Sequence, residues 1–501
     1  MRKVKLLMIR LLKVFGCLLA ILFIGWCADS LYFLLNGRDT DCLEEIDQSR
    51  VVVTDGDNAY PIFEELVRAR QTNCNFAAIQ PYRNRWTNNV ELATAVDELV
   101  TAHSNLSDCV ERIIKRKGYD VPDGVNPEHA RMLMYCSPVE PLHQLKARRA
   151  AECGDCKLAQ RTISNLIEYG EFCERNGGLL GGLIGNHYIG AALNEALTMT
   201  TEDSGYEKWL KMFLSKMDDY DRNAMKRLER TAECETGYWL PRYFHSLSTN
   251  ETMKADAMTW CCKNWFEMLT RSRDPATELK LIGKQALVKT LLCFPGYSDY
   301  AFRTKETLER SKVYYRDTLE KLKTEVYNPK YVKIEKPVVN PLKRNWLGEK
   351  LAAQSVGDLY KWFYRQRFLS RAMRLRFAFE IFKFKHGRYP ASLGELVPSV
   401  LDAVPLDPYD GKPIRYNSEH RYFWTPGPDG TFNGKVDFSY DEYPLWKNKN
   451  YHFVQLLDNS RRNPPPMMYR KPNKNQKKRK RQRKSHSFPM FTAYLPPCRR
   501  H

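Results

Sequence analysis

Few residues in this 501-residue chain have the types and spacing that chemistry needs. Cys153-Gly154-Asp155-Cys156 has the C-x-x-C spacing of a redox dithiol, whose reactivity rises at the N-terminus of a helix that follows a strand. Here the preceding residues have helical periodicity, which favours a turn between two helices, with or without a disulfide. Asp155 would then cap the second helix. A zinc site would need four ligands, and neither a second C-x-x-C nor an H-x3-H accompanies the first pair. Cys261 and Cys262, being adjacent, point to different sides of a helix and do not complete one. His187 and Glu195 lie two helical turns apart, so they are a candidate base and orienting carboxylate; the competing reading is a hydrogen-bonded core histidine. Residues 177–185, GGLLGGLIG, lack the following Gly-Lys-Ser/Thr of a phosphate loop. Gly181 and Gly185 instead share a helical face on which a second helix can approach closely. H-E-x-x-H, G-x-S-x-G and the protein-kinase motifs are all absent.

The elements that must position these residues begin with residues 11–28, LLKVFGCLLAILFIGWCA. This mostly apolar run is close to the ~20 residues a helix needs to cross a bilayer. Arg2, Lys3, Lys5, Arg10 and Lys13 precede it and Asp29 follows, so the expected orientation is N-terminus in and bulk of the chain extracytoplasmic. No A-x-A cleavage site follows the run, and Trp26, Tyr32 and Phe33 suit a membrane interface, which favours an uncleaved anchor over a signal peptide. Residues 29–56 read as a stalk. The net charge of +20 is concentrated at the ends: residues 461–501 hold 14 Lys and Arg and no acid, the residues before Val14 hold five, and the rest carries only +1. That distribution argues against a nucleic-acid groove in the body. Of the 14 cysteines, Cys17 and Cys27 lie in the anchor, eleven lie from Cys42 to Cys293 and Cys498 lies in the tail. Outside the cytoplasm some would pair, and the alternative is that most are small buried apolar residues.

The predicted fold class is mainly α: an N-terminal transmembrane helix, a helical-hairpin body over residues 57–326, and a small C-terminal α+β module. Apolar periodicity predicts helices from Pro61, over 90–119, 127–152, 156–175, 179–200, 205–235, 253–272, 276–293 and 298–325, separated by Gly- or Pro-bearing breaks. Pro329, Pro337 and Pro341 make residues 327–345 an extended connector. Residues 346–385 follow as one long helix whose apolar face is Leu369, Met373, Phe377, Ile381 and Phe384. Beyond His386 the pattern changes to a short helix at 392–397, strands at 414–416 and 422–424, and a third strand at 435–438. Residues 461–501 have too few apolar anchors to predict a fold.

Residues 374–437 resemble the C-terminal module of the type II secretion major pseudopilins. The resemblance is carried by an amphipathic helix, His386-Gly-Arg-Tyr-Pro390, the L-x-x-L-V-P of 393–398, the P-L-D-P-Y-D-G-K-P-I-R-Y of 405–416 and the P-G-P-D-G of 426–430. The whole chain resembles large uncharacterised bacterial membrane-anchored proteins that end in such a module, as does Asp57-Asn58-Ala59-Tyr60-Pro61. This implies an extracytoplasmic α+β module and, from the pseudopilin calcium loop, a calcium site at Asp429 and Asp437, with Asp441 a further oxygen donor. A solvated acidic turn is the alternative. The anchor lacks the pseudopilin glutamate and over 300 residues separate it from the module, so a module used for another interaction is expected rather than pilus assembly. The expected role is a structural or interaction protein of the bacterial envelope, with protein partners there and, through the module, a link to secretion. The alternatives are an extracytoplasmic enzyme sited in the helical body, or a polyanion-binding protein acting through the basic run at 477–484.

Overall fold

The computed structural model describes residues 53–70, 90–199 (Asp123 and Ser137 aside), 205–250, 253–254, 257, 300–328 (Glu325 aside), 343–427 (Gly357, Asp358 and 419–421 aside) and 453–455. Residues 11–28, most of the stalk, the expected helix at 253–272 (253, 254 and 257 aside), the expected helix at 276–293, the expected strand at 435–438 and the tail lie outside them. Among the described residues no helix is long and apolar enough to cross a membrane.

The chain enters at the Asp57–Pro61 motif. The Asn58 side chain accepts hydrogen bonds from the backbone N–H groups of Tyr60 and Asp120, each at 3.0 Å, and donates to the Asp120 carbonyl at 2.8 Å. Ala59 N–H donates to the Gly118 carbonyl at 3.0 Å. The motif is therefore a clamp that starts α1 (Tyr60–Arg70) and ties it to the end of α3. Pro61 falls in the first turn, where its missing N–H costs nothing.

Helix α2 (Val90–Ala102) and helix α3 (Ser104–Ile114) replace the single expected helix. They part at His103, where φ is −115° and ψ 24°. No breaker residue signals this. On both sides of His103 the apolar stripe reaches the main core: Leu106, Val110 and Ile113 are buried there, while Leu99 and Val100 pack against that core and also against Val96 and Leu145. Likewise the expected helix at 127–152 is α4 (Pro127–Leu133) and α5 (Val139–Glu152), parted by Pro138, which cannot continue a helix. Asn126 caps α4 by accepting from the N–H groups of Glu128 and His129.

Helices α6 (Cys156–Asn176) and α7 (Gly178–Thr198) form the most closely packed pair. A Cβ on Gly170 would lie 2.7 Å from the Gly185 carbonyl oxygen, and one on Gly181 or Gly185 would overlap the carbonyl of Cys173 or Gly170. The glycine stripe thus has the packing role its spacing predicts. Helix α8 (Gly205–Arg222) is followed by α9 (Ala224–Cys234). Where the sequence predicts a helix ending at 235, α9 instead continues through a π-helical turn (Glu235–Trp239) into α10 (Leu240–Thr249). Helix α11 spans Thr304–Leu322.

The expected long helix is two, α12 (Trp346–Val356) and α13 (Leu359–His386). The predicted apolar face of α13 is only part of the truth. Phe377 and Ile381 enter a first core built by α1 and α3–α8, with Met373 packed against it, but Leu369 faces a second core and Phe384 is 42 % exposed. The opposite side of α13, with Phe368, Ala372, Leu375, Ala378, Phe379 and Phe382, is buried in that second core. The second core runs across the proline connector, joining Tyr300, Leu308 and Tyr315 before it to Trp346, Tyr364, Ile414 and Phe423 after it.

A 3-10 turn (Leu393–Leu396) stands where a short helix is expected. Strands β1 (Arg415–Asn417) and β2 (Tyr422–Trp424) pair antiparallel with Tyr416 opposite Phe423, as the hairpin reading predicts. Strand β3 (Phe453–Gln455) pairs antiparallel with the other edge of β2. Phe423 is fully buried and stands edge-on to Phe379 of α13 at 5.1 Å, which seats the sheet on that helix.

Candidate functional site

The structure separates His187 from Glu195. His187 Nε2 lies 2.7 Å from Glu140 Oε2 on α5, and its ring stands edge-on to Tyr188 at 5.5 Å. Glu195 is 1 % exposed and forms a bidentate pair with Arg148 of α5, in which Nη2 donates to Oε2 at 2.7 Å. Each residue ties α7 to α5. They do not act on each other as base and orienter.

The Cys153–Cys156 segment is the turn between α5 and α6. Asp155 N–H donates to the Ala150 carbonyl (2.8 Å) and Gly154 N–H to that of Ala151 (3.0 Å). This is a Schellman closure, with Gly154 in the left-handed region at φ +79°. Asp155 Oδ1 accepts from Leu158 N–H at 2.9 Å and so caps α6, as its position predicts. Cys153 is an exposed free thiol, so no disulfide closes the turn. Cys109 and Cys173 are also free, and burial pushes their thiols up, that of Cys109 to about 11. They are small buried residues, in keeping with the packing alternative for the cysteines.

Asp429, Asp437 and Asp441, the expected calcium ligands, lie outside the described residues. Among the described residues no group of three or more His, Cys, Asp and Glu is arranged to hold a metal ion. The loop at 405–416 before them is held by its own acids. Asp407, fully buried, accepts from Tyr409 N–H (2.9 Å) and from Arg415 Nη1 (3.1 Å), and burial raises its carboxyl above the usual range. Gly411 turns the loop at φ +72°, and Tyr409 packs against Tyr327 at 5.3 Å.

The densest buried polar centre surrounds the π turn. Arg131 of α4 donates from Nη1 to both oxygens of Glu235, at 3.0 and 2.8 Å, with the two side chains 7 % and 4 % exposed. Glu235 Oε2 also accepts from Leu179 N–H, in the first turn of α7, at 2.8 Å. That approach requires Gly178, which is left-handed at φ +58° and whose Cβ would overlap the Glu235 carboxylate. The Arg131 guanidinium lies over the Trp239 ring at 5.1 Å, and Trp239 Nε1 donates to the Asn176 carbonyl at 2.8 Å. On the neighbouring face, Tyr238 OH donates to Asp120 Oδ1 (2.7 Å) and accepts from Val121 N–H (2.9 Å). Arg242 stacks over Tyr238. Burial works against the charge of Arg131, but Glu235 and Glu128 outweigh it and leave its pKa above the ordinary arginine value. Glu128, one turn before Arg131, has its carboxyl raised by burial against the pull of Arg131, with Glu235 adding to the rise.

Sequence reasoning passes over this centre because the predicted helix ends at 235 and nothing marks Arg131 as buried. The one available signal is Glu235 followed closely by Tyr238 and Trp239 in a segment that reads neither as helix nor as loop. π turns of this kind concentrate at sites where backbone geometry is specialised. No protein-family model, curated protein or solved structure matches the chain.

Proposed function

We propose that this chain is a structural or interaction protein of the bacterial envelope, held by residues 11–28 with its N-terminus inside and a pseudopilin-like module at the far end of a helical body. The supporting observation is the use made of the buried acids and bases. Arg131–Glu235, Arg148–Glu195 and Arg227–Glu174 each join two different helical segments of the fold. A buried carboxylate bound bidentately to arginine has its lone pairs engaged and is a poor proton acceptor, whereas as a cross-brace it fixes the relative position of two helices. Glu195 in particular is the carboxylate that an enzyme reading assigns to His187, and it serves as a brace.

Labelling of Cys153 with a membrane-impermeant maleimide tests the placement. In cells with a permeabilised outer layer, mass spectrometry of the modified peptide should find Cys153 labelled as fully as in lysed cells. Labelling that appears only after lysis refutes the extracytoplasmic placement and the envelope role with it.

A further inference from the structure

The π-turn centre contains one cation and two carboxylates. Arg131 uses Nη1 for both oxygens of Glu235, while its buried Nε–H donates to nothing. Glu128 sits three residues earlier on α4, the spacing at which helical side chains meet, and its carboxylate accepts no hydrogen bond from any described residue. The guanidinium therefore has an unused donor, and a second carboxylate stands one turn away on the same face of α4. The other titratable group facing the cation is Tyr315 of α11, which is buried.

We propose that Glu128, Arg131 and Glu235 form a proton-exchanging latch, in which Arg131 pairs with either carboxylate and the other carries a proton taken from water. In the form described, Arg131 holds Glu235, and Glu235 holds the Leu179 N–H, so the π turn and the start of α7 are locked together. In the other form Arg131 swings back to Glu128. Glu235 takes up one proton and stays neutral in its buried place, while Glu128 gives up its proton. The charge of the centre is unchanged by the swap. What changes is the grip on the π turn, because a neutral carboxyl without its arginine holds the Leu179 N–H more weakly.

Hydrogen–deuterium exchange on the full-length protein in detergent micelles, read on peptides covering 176–182 and 235–241, tests the latch. At pH 7, Glu128→Gln should slow exchange severalfold, because it removes the alternative carboxylate to which Arg131 can swing. Glu235→Gln should speed exchange by less than tenfold, because Arg131 re-pairs with Glu128. The double variant leaves Arg131 with no carboxylate, and its exchange should rise at least 100-fold, well above the product of the two single effects. A double effect within threefold of that product overturns the proposal, as does faster exchange in Glu128→Gln. If the double variant does not fold, the pH dependence of Glu235→Gln decides. With Glu128 now paired, its stability should fall as pH drops through the carboxylate range; a profile that falls as pH rises overturns the latch.

Discussion

His143 gives the sharpest test of the packing described above. It is 1 % exposed, and its Nδ1 lies 2.8 Å from the Val139 carbonyl one turn earlier on α5, so Nδ1 carries the proton. Nε2 is buried with no hydrogen-bond partner. Protonation would put an unpartnered N–H and a charge in the core, and burial holds the imidazole pKa down to about 4 from the ordinary 6.5. Between those values the unfolded chain binds more protons than the folded one, so stability is complete above pH 6.5 and drains away as pH falls. The full loss is about 3 kcal/mol, and about 2.5 kcal/mol of it is reached by pH 4.5. His143→Asn keeps a donor toward Val139 and removes the titration. Urea unfolding, followed by tryptophan fluorescence at several pH values, should show wild type losing about 2.5 kcal/mol more than His143→Asn between pH 7.5 and 4.5. The variant should start roughly 1–2 kcal/mol lower at neutral pH, because a small cavity replaces the ring. Parallel pH profiles for the two proteins would show that His143 is not buried neutral and would refute the reasoning.

Four further outcomes follow from the braces, the glycines and the tail. Gly185→Ala should cost about 1–3 kcal/mol in chemical unfolding, because its methyl group meets the Gly170 carbonyl. Gly182→Ala, whose methyl would make only ordinary contacts with Thr231 at 3.5 Å and the Trp362 ring at 3.7 Å, should be neutral or stabilising by up to about 1 kcal/mol. Glu195→Ala strands the largely buried Arg148 and should cost roughly 3–5 kcal/mol by the same assay, with Arg148→Met in the Glu195→Ala background recovering part of it. Retention on heparin should fall linearly with the logarithm of salt concentration and vanish on truncation after Ser460; salt-independent retention would remove the polyanion reading of the tail.

Local signals in the sequence translated well wherever one residue decides the geometry. Asp155 caps α6, Gly181 and Gly185 admit a neighbouring helix, and the alternation around Tyr416 and Phe423 makes a hairpin. Signals failed where the deciding partner is distant in the chain. The break at His103 carries no local mark, and the added contact of Leu99 and Val100 with Leu145 of α5 is one that periodicity alone does not report. The second buried face of α13 was hidden by arginines interleaved with its aromatic residues. Arg371 and Arg374 are consumed by Asp221 and Asp218 of α8, and Arg376 is 2 % exposed and donates to Asn194 of α7 at 2.7 Å. A face with that many cations reads as solvated until its counter-charges are seen. The Glu235 centre was illegible for the same reason: its partners, Arg131 and Leu179, lie 104 and 56 residues away.

Because α13 supplies side chains to both cores, the described body cannot be cut cleanly ahead of that helix. A fragment that stops before Leu359 bares the pocket of the first core that Phe377 and Ile381 fill. A fragment that begins there carries those same rings into water, along with arginines stripped of Asp218 and Asp221. Dissecting this protein into pieces will give sticky halves, and its working unit is everything that the one helix stitches together.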